Sequence, residues 1–159
     1  MPSMISALKE FAGLPHRCQW VAESGGVSWY NDSKGTNTGA CIAAINGLAG
    51  KGHIILLAGG QGKGADFRSL RDAVSRHCRL LVTLGEAAQD LAAALGDAVE
   101  VRAADSLQQA VEIARETARA GDLVLLSPAC ASFDMFSSYI ERGERFTALV
   151  QAFAGVGDE

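Results

Sequence analysis

No stretch of this chain stays apolar for the roughly 18 residues that a membrane-spanning helix needs, so nothing in it reads as a span. A basic, then apolar, leader is missing from the start, so a cytoplasmic location is expected. Positive charge is not in excess: 14 Lys and Arg stand against 18 Asp and Glu, a net charge of -4. That excludes a general nucleic-acid binder, though not a local basic pocket. The four cysteines, Cys18, Cys41, Cys78 and Cys130, form no C-x-x-C pair and lie in apolar surroundings. They read as small buried thiols in a reducing compartment rather than as zinc ligands or disulfides. There is no G-x-S-x-G, and none of His16, His53 and His77 is placed to act as a base, so Ser132 and Cys130 are weak candidates for a nucleophile. Internal repeats and low-complexity segments are also lacking.

What is present is a patterned chain of 159 residues, 48% hydrophobic and 20% charged, enough for one domain with a core. Residues 8–14 have helical spacing, and residues 1–13 read as linker or appended sequence. An extended segment at 16–22, a turn at 24–26 and a second extended segment at 27–31 predict a hairpin. From there strand and helix alternate. Strands are expected at 53–58, 79–84, 99–102 and 123–126, and helices at 38–48, 67–75, 86–95, 106–120 and 134–153. The run His53-Ile-Ile-Leu-Leu-Ala58 is continuously apolar, as parallel strands buried on both faces are. The expected fold is α/β: a Rossmann-like, mostly parallel sheet with helices on both faces and an N-terminal hairpin.

Ligands of such sheets bind at the carboxyl ends of the strands. Three polar loops are expected there: residues 32–37, 59–66 and 127–132. Lys34 and Lys63 each follow a strand in a glycine-containing loop, where glycine lets backbone N–H groups approach an anion and lysine brings a movable charge. Gly59-Gly-Gln-Gly-Lys63 is not a phosphate-cradling Walker loop, because Gly64 stands where Ser or Thr is required. Thr36 or Asn37 can cap the helix that follows. Ser132 is placed at the expected start of the last helix, either as a plain cap or as one side of a carboxylate site. Arg17 can clamp a phosphate, and Asp32 can accept a bond from a ribose or balance Lys34; composition alone makes them salt-bridge candidates. Taken by themselves, the residues give a sheet edge that binds a small anion.

Three motifs carry a resemblance: Asn31-Asp-Ser-Lys-Gly-Thr-Asn37, Leu57-Ala-Gly-Gly-Gln-Gly-Lys-Gly-Ala-Asp-Phe67, and Leu125-Leu-Ser-Pro-Ala-Cys-Ala-Ser-Phe-Asp134 with Glu141-Arg-Gly143. Together they resemble the C-terminal domain of the Mur ligases, the ATP-dependent amino-acid ligases of peptidoglycan assembly, over residues 14–153. The D-S-K-x-T-N form of the first loop is similar to that of the members that use D-glutamate. The resemblance implies that Thr36, Lys63, Ser132, Phe133 and Tyr139 line a D-glutamate site. Lys63 would neutralise a carboxylate there, and Ser132 and Thr36 would hydrogen-bond one. It also implies that Lys34 lies near the transferring phosphate, that Arg17 reaches ATP phosphates, and that His16 and Asp32 lie near the nucleoside. Phe133 stands where leucine is common in the family and Tyr139 where phenylalanine is common; both remain apolar.

The implied activity is ligation of D-glutamate to UDP-N-acetylmuramoyl-L-alanine through an acyl phosphate, with ATP and Mg2+. Residues 14–159 would then be the amino-acid-binding domain. The central ATPase domain, with most magnesium ligands, and the uridine-nucleotide domain would lie outside this chain, which alone would be inactive. Two alternatives stand beside this: a Mur or folylpolyglutamate-type domain for another amino acid, and a non-catalytic module that binds an anion or nucleotide.

Overall fold

In the computed structural model, the structure describes residues 17–62, 64–131 and 136–157. Residues 8–14, His16, Lys63, Ser132 and Phe133 therefore lie outside the described residues. The strands are β1 (Gln19–Ser24), β2 (Val27–Asn31), β3 (Ile54–Gly59), β4 (Cys78–Leu84), β5 (Glu100–Ala103) and β6 (Leu123–Leu126). The α-helices are α1 (Thr38–Leu48), α2 (Arg71–His77), α3 (Ala88–Leu95), α4 (Leu107–Thr117) and α5 (Tyr139–Gly157). One six-stranded sheet runs in the order β1-β2-β6-β3-β4-β5, antiparallel between β1 and β2 and parallel elsewhere. Among the described residues no helix is long and apolar enough to cross a membrane.

The two faces follow from alternation along the strands. Ile54, Leu56 and Ala58 of β3 face α1, α2 and α3 through Ile45, Val74 and Leu91. Ile55 and Leu57 face the opposite way, toward α4 and α5 through Val111, Phe146 and Val150. Connections from β2 through to β5 advance across the sheet with their helices on the first face. The connection β5-α4-β6 runs back with its helix on the other face and inserts β6 between β2 and β3. Changing face as the direction reverses preserves the right-handed crossover.

Local signals fix the element ends. Gly25 and Gly26 both have positive φ, 60° and 81°, the pair that a two-residue hairpin turn requires. Asn37, not Thr36, caps α1: its Oδ1 accepts the Ala40 N–H at 2.8 Å. Ser106 Oγ accepts from Gln109 N–H at 3.0 Å to start α4. The helix expected at 67–75 is a 3-10 turn, Phe67–Leu70, that passes into α2.

The last helix begins five residues later than expected, at Tyr139. A side-chain cap explains the position: Ser138 Oγ accepts from Glu141 N–H at 3.1 Å, and the Glu141 carboxylate accepts from the N–H of the preceding Ser137 at 2.7 Å. Ser132 lies outside the described residues, six positions before the residue that caps this helix.

Candidate functional site

β2, β6 and β3 are parallel neighbours, so the segments leaving their carboxyl ends emerge side by side. The turn 32–37, the loop 60–66 and the loop 127–131 meet at this edge, as the alternation of elements predicts. How they are held differs from expectation. Gly59 N–H donates to Pro128 C=O, Gly60 N–H to Leu84 C=O, and Gln61 exchanges backbone bonds with Ala131. A Cβ on Gly59 would sit 1.8 Å from the Leu84 oxygen, and one on Gly60 2.2 Å from the Ala131 oxygen. Both have positive φ, 147° and 129°. These glycines are needed because backbone packs on backbone there, and their amides serve the fold, not an anion.

The same holds for the first turn. Asp32 N–H donates to Leu126 C=O at 2.7 Å, Ser33 N–H to Asn31 Oδ1 at 3.0 Å, Gly35 N–H to Asp32 C=O at 2.8 Å and Thr36 N–H to Lys34 C=O at 2.8 Å. Positive charge at this turn comes from side chains. Lys34 and Arg17 are exposed, and Thr36 and Tyr139 are half-buried.

Asp32 is the fixed point of the turn. It is only 5% exposed. One carboxylate oxygen accepts from Cys18 N–H at 2.9 Å and the other from Ser127 Oγ at 2.7 Å. Burial pushes its carboxyl above the usual carboxylate range. The two hydrogen bonds and the Arg17 charge pull against that shift. No ion pair joins Asp32 to Arg17 or Lys34, so the salt-bridge reading is replaced by a hydrogen-bonded hub. The hub ties Cys18, held at φ 45°, to the end of β6 and so places Arg17 beside the turn. Gly35 covers it closely: a Cβ there would lie 2.5 Å from Asp32 Oδ2 and 2.8 Å from Ser127 Oγ.

Arg17, Asp32 and Lys34 line one cleft of about 700 Å³ between the hairpin and α1. Trp20 and Tyr30 form its apolar side on the hairpin, and Ala40, Ala43 and Gly47 its side on α1. Lys51 adds a third cation. A cavity with an apolar body and a cationic mouth suits a planar group that bears phosphates. Among the described residues, no group of three or more His, Cys, Asp or Glu side chains is arranged to hold a metal ion. Among the described residues no disulfide joins the cysteines: Cys41 and Cys130 are buried, and Cys18 and Cys78 half-buried. Burial raises the Cys18 thiol to about 11 and the Cys41 thiol to about 12, so neither is an activated nucleophile.

Sequence reading missed four contributors: Ser127, Lys51, Asn31 and Arg142. Asn31 is fully buried; its Nδ2 donates to Gly143 C=O and to Thr147 Oγ1 at 3.1 and 3.2 Å. Arg142 lies within the Glu141-Arg-Gly143 motif. Its position four residues before Phe146 and eight before Val150, both buried, puts a charge in the core-facing stripe of α5.

Comparison with known proteins follows from this geometry. The family model described as Mur ligase, glutamate ligase domain, matches residues 16–130. The chain is 53% identical over 154 residues to the UDP-N-acetylmuramoylalanine--D-glutamate ligase of Pseudomonas fluorescens, covering 96% of this chain and 34% of that protein. It is 55% identical over 153 residues to the ligase of the same name from Legionella pneumophila strain Lens, covering 95% and 34%. The chain thus spans about a third of the length of the curated relatives it matches. Among solved structures it is similar to a bifunctional folylpolyglutamate synthase/dihydrofolate synthase from Yersinia pestis, with a TM-score of 0.61, 22% identity, and coverage of 89% and 31%. It is also similar to the MurF ligase of Thermotoga maritima in complex with ADP, with a TM-score of 0.57, 16% identity, and coverage of 89% and 33%. At these identities the structural likeness establishes the α/β fold alone.

Proposed function

The chain belongs to the Mur ligase family through its glutamate ligase domain, and from that premise we propose that it is the amino-acid-binding domain of an ATP-dependent ligase. The reaction proposed joins D-glutamate to UDP-N-acetylmuramoyl-L-alanine in peptidoglycan synthesis, in the cytoplasm. The observation that carries this reading is the meeting of Arg17, Asp32 and Lys34 on one cleft beside the carboxyl ends of β2, β6 and β3. Relatives that are 53–57% identical and named for this reaction support the choice of amino acid.

ATP enters as a substrate, and the cleft fits it by chemistry. The apolar walls suit the base, Arg17 and Lys34 suit the phosphates, and Asp32, which lines the same cleft, is assigned to the nucleoside side. Phosphoryl transfer to the acceptor carboxylate, and attack of the amine on the acyl phosphate, both build negative charge. Cationic side chains already in place stabilise it without reorganising. We assign that task to Lys34, with Arg17 and His16 on the nucleotide. Thr36, Lys63, Ser132, Phe133 and Tyr139 are assigned to D-glutamate. Holding the amino acid by its carboxylates leaves its amine to face the acyl carbon. The protein ligands of the magnesium that accompanies ATP are assigned mainly to a central domain outside this chain. That domain and a uridine-nucleotide domain complete the proposed ligase.

The test is an assay of ADP release by the complete ligase that carries this domain, with the muramoyl acceptor and either glutamate enantiomer. Release with D-glutamate and none with L-glutamate is expected. Release with L-glutamate, lysine or diaminopimelate instead would favour the other amino-acid ligases and overturn the assignment.

A further inference from the structure

Arg142 is 2% exposed, and its guanidinium grips two loops at once. Its Nε donates to Ser33 Oγ at 2.9 Å, and one terminal nitrogen donates to Ser33 C=O at 2.8 Å. The other terminal nitrogen donates to Cys130 C=O at 3.2 Å. Ser33 Oγ in turn donates to Tyr139 C=O at 2.7 Å, at the first residue of α5.

Ser33 stands between Asp32 and Lys34, both on the cleft assigned to the nucleotide. Cys130 stands two residues before Ser132, and Tyr139 is itself assigned to the amino acid. We propose that Arg142 is a positioning residue that sets the nucleotide half of the site against the amino-acid half, with Ser33 as the joint between them. The inference rests on the division of the site proposed above. Its physical basis is the fork: a planar guanidinium holds three acceptors in one fixed geometry, so the turn cannot shift without shifting the loop and the helix start. Displacing either half by a fraction of an ångström would misplace both ligands.

The experiment is steady-state kinetics of the complete ligase with Arg142→Lys, Ser33→Ala and the double variant. A lysine keeps the charge but cannot span Ser33 and Cys130 together. The expected result is a rise of roughly tenfold in KM for both ATP and D-glutamate, the size of one lost charge-assisted hydrogen bond. KM for the muramoyl acceptor stays unchanged. The double variant loses less than the sum of the two single variants, because the bond from Arg142 Nε to Ser33 Oγ is removed in both. A merely structural role would lower the amount of folded enzyme, so kcat would fall while both KM values held. Unmoved KM values, movement of only one, or additive effects would overturn the proposal. Should Arg142→Lys fail to fold, Ser33→Ala alone decides, since it removes one hydroxyl and leaves Arg142 both carbonyls. An unmutated ligase that does not use D-glutamate would instead overturn the assignment of the site, and this inference with it.

Discussion

Asp32 shows how a single residue can look functional for one reason and act for another. Its carboxylate was expected to meet a ribose or a lysine, yet its two oxygens hold Cys18 N–H and the Ser127 hydroxyl. Burial raises its carboxyl in the folded state. A raised carboxyl contributes stability that is complete below the unfolded value of about 3.9 and is lost as pH rises through the folded value. Asp32→Asn keeps an acceptor for Cys18 and lets the Ser127 hydroxyl turn to accept. The melting temperature of the variant relative to the unmodified chain should therefore climb as pH goes from about 4 to 7. A difference that stayed flat over that range would show that burial of the charge costs the fold nothing. The two lysines separate by kinetics. Lys63→Ala should raise KM for D-glutamate at constant stability, because a loop lysine adds little to the core. Lys34→Ala should depress kcat, as a group acting on the transition state does. Interchanged results would reverse the roles proposed for them.

Among the elements, the strands were the most legible. Ile54 to Ala58 is apolar without a break because β3 is covered on both faces, and the alternation of its side chains divides the two cores. Caps are partly legible: the helix expected from residue 106 does start at Ser106, its cap, whereas Ser138 caps α5 six residues beyond the expected Ser132. Gly59 and Gly60 serve the fold where the sequence suggests a ligand. A loop that packs against its own neighbours and a loop that packs against a ligand both require glycine, and sequence spacing does not distinguish them. The bonds from Gly59, Gly60 and Gln61 to Pro128, Leu84 and Ala131 do. Gly60→Ala should accordingly cost at least about 2 kcal/mol in denaturant unfolding, through a strained φ and a Cβ driven into the Ala131 oxygen. Gly64→Ala provides the contrast. Its φ is also positive, 75°, but its Cβ meets nothing within 4 Å, so about 1 kcal/mol is expected. Equal losses at both positions would mean that the knitting of the two loops contributes no more than a backbone preference.

At the scale of the molecule, the edge where the three polar loops meet is legible because sheet topology dictates it: alternating elements make parallel strands, whose carboxyl ends share one side. The internal bracing is not legible, because Arg142 holds Ser33 from 109 residues along the chain and Ser127 holds Asp32 from 95. Only the fold brings them together. The same topology leaves the cleft open between the hairpin and α1, with Arg17, Lys34 and Lys51 at its rim. Under the proposed function, this cleft supplies one side of a nucleotide site. Chemistry on a phosphate needs charge on more than one side of the transferring group and needs water kept out, which closure of one domain on another supplies. The 159-residue chain, purified alone with ATP, magnesium, D-glutamate and the muramoyl acceptor, should therefore release no ADP above the uncatalysed rate. The complete ligase under the same conditions should. Turnover by the isolated chain would place the whole catalytic apparatus within these residues and would remove the need for a closing partner domain.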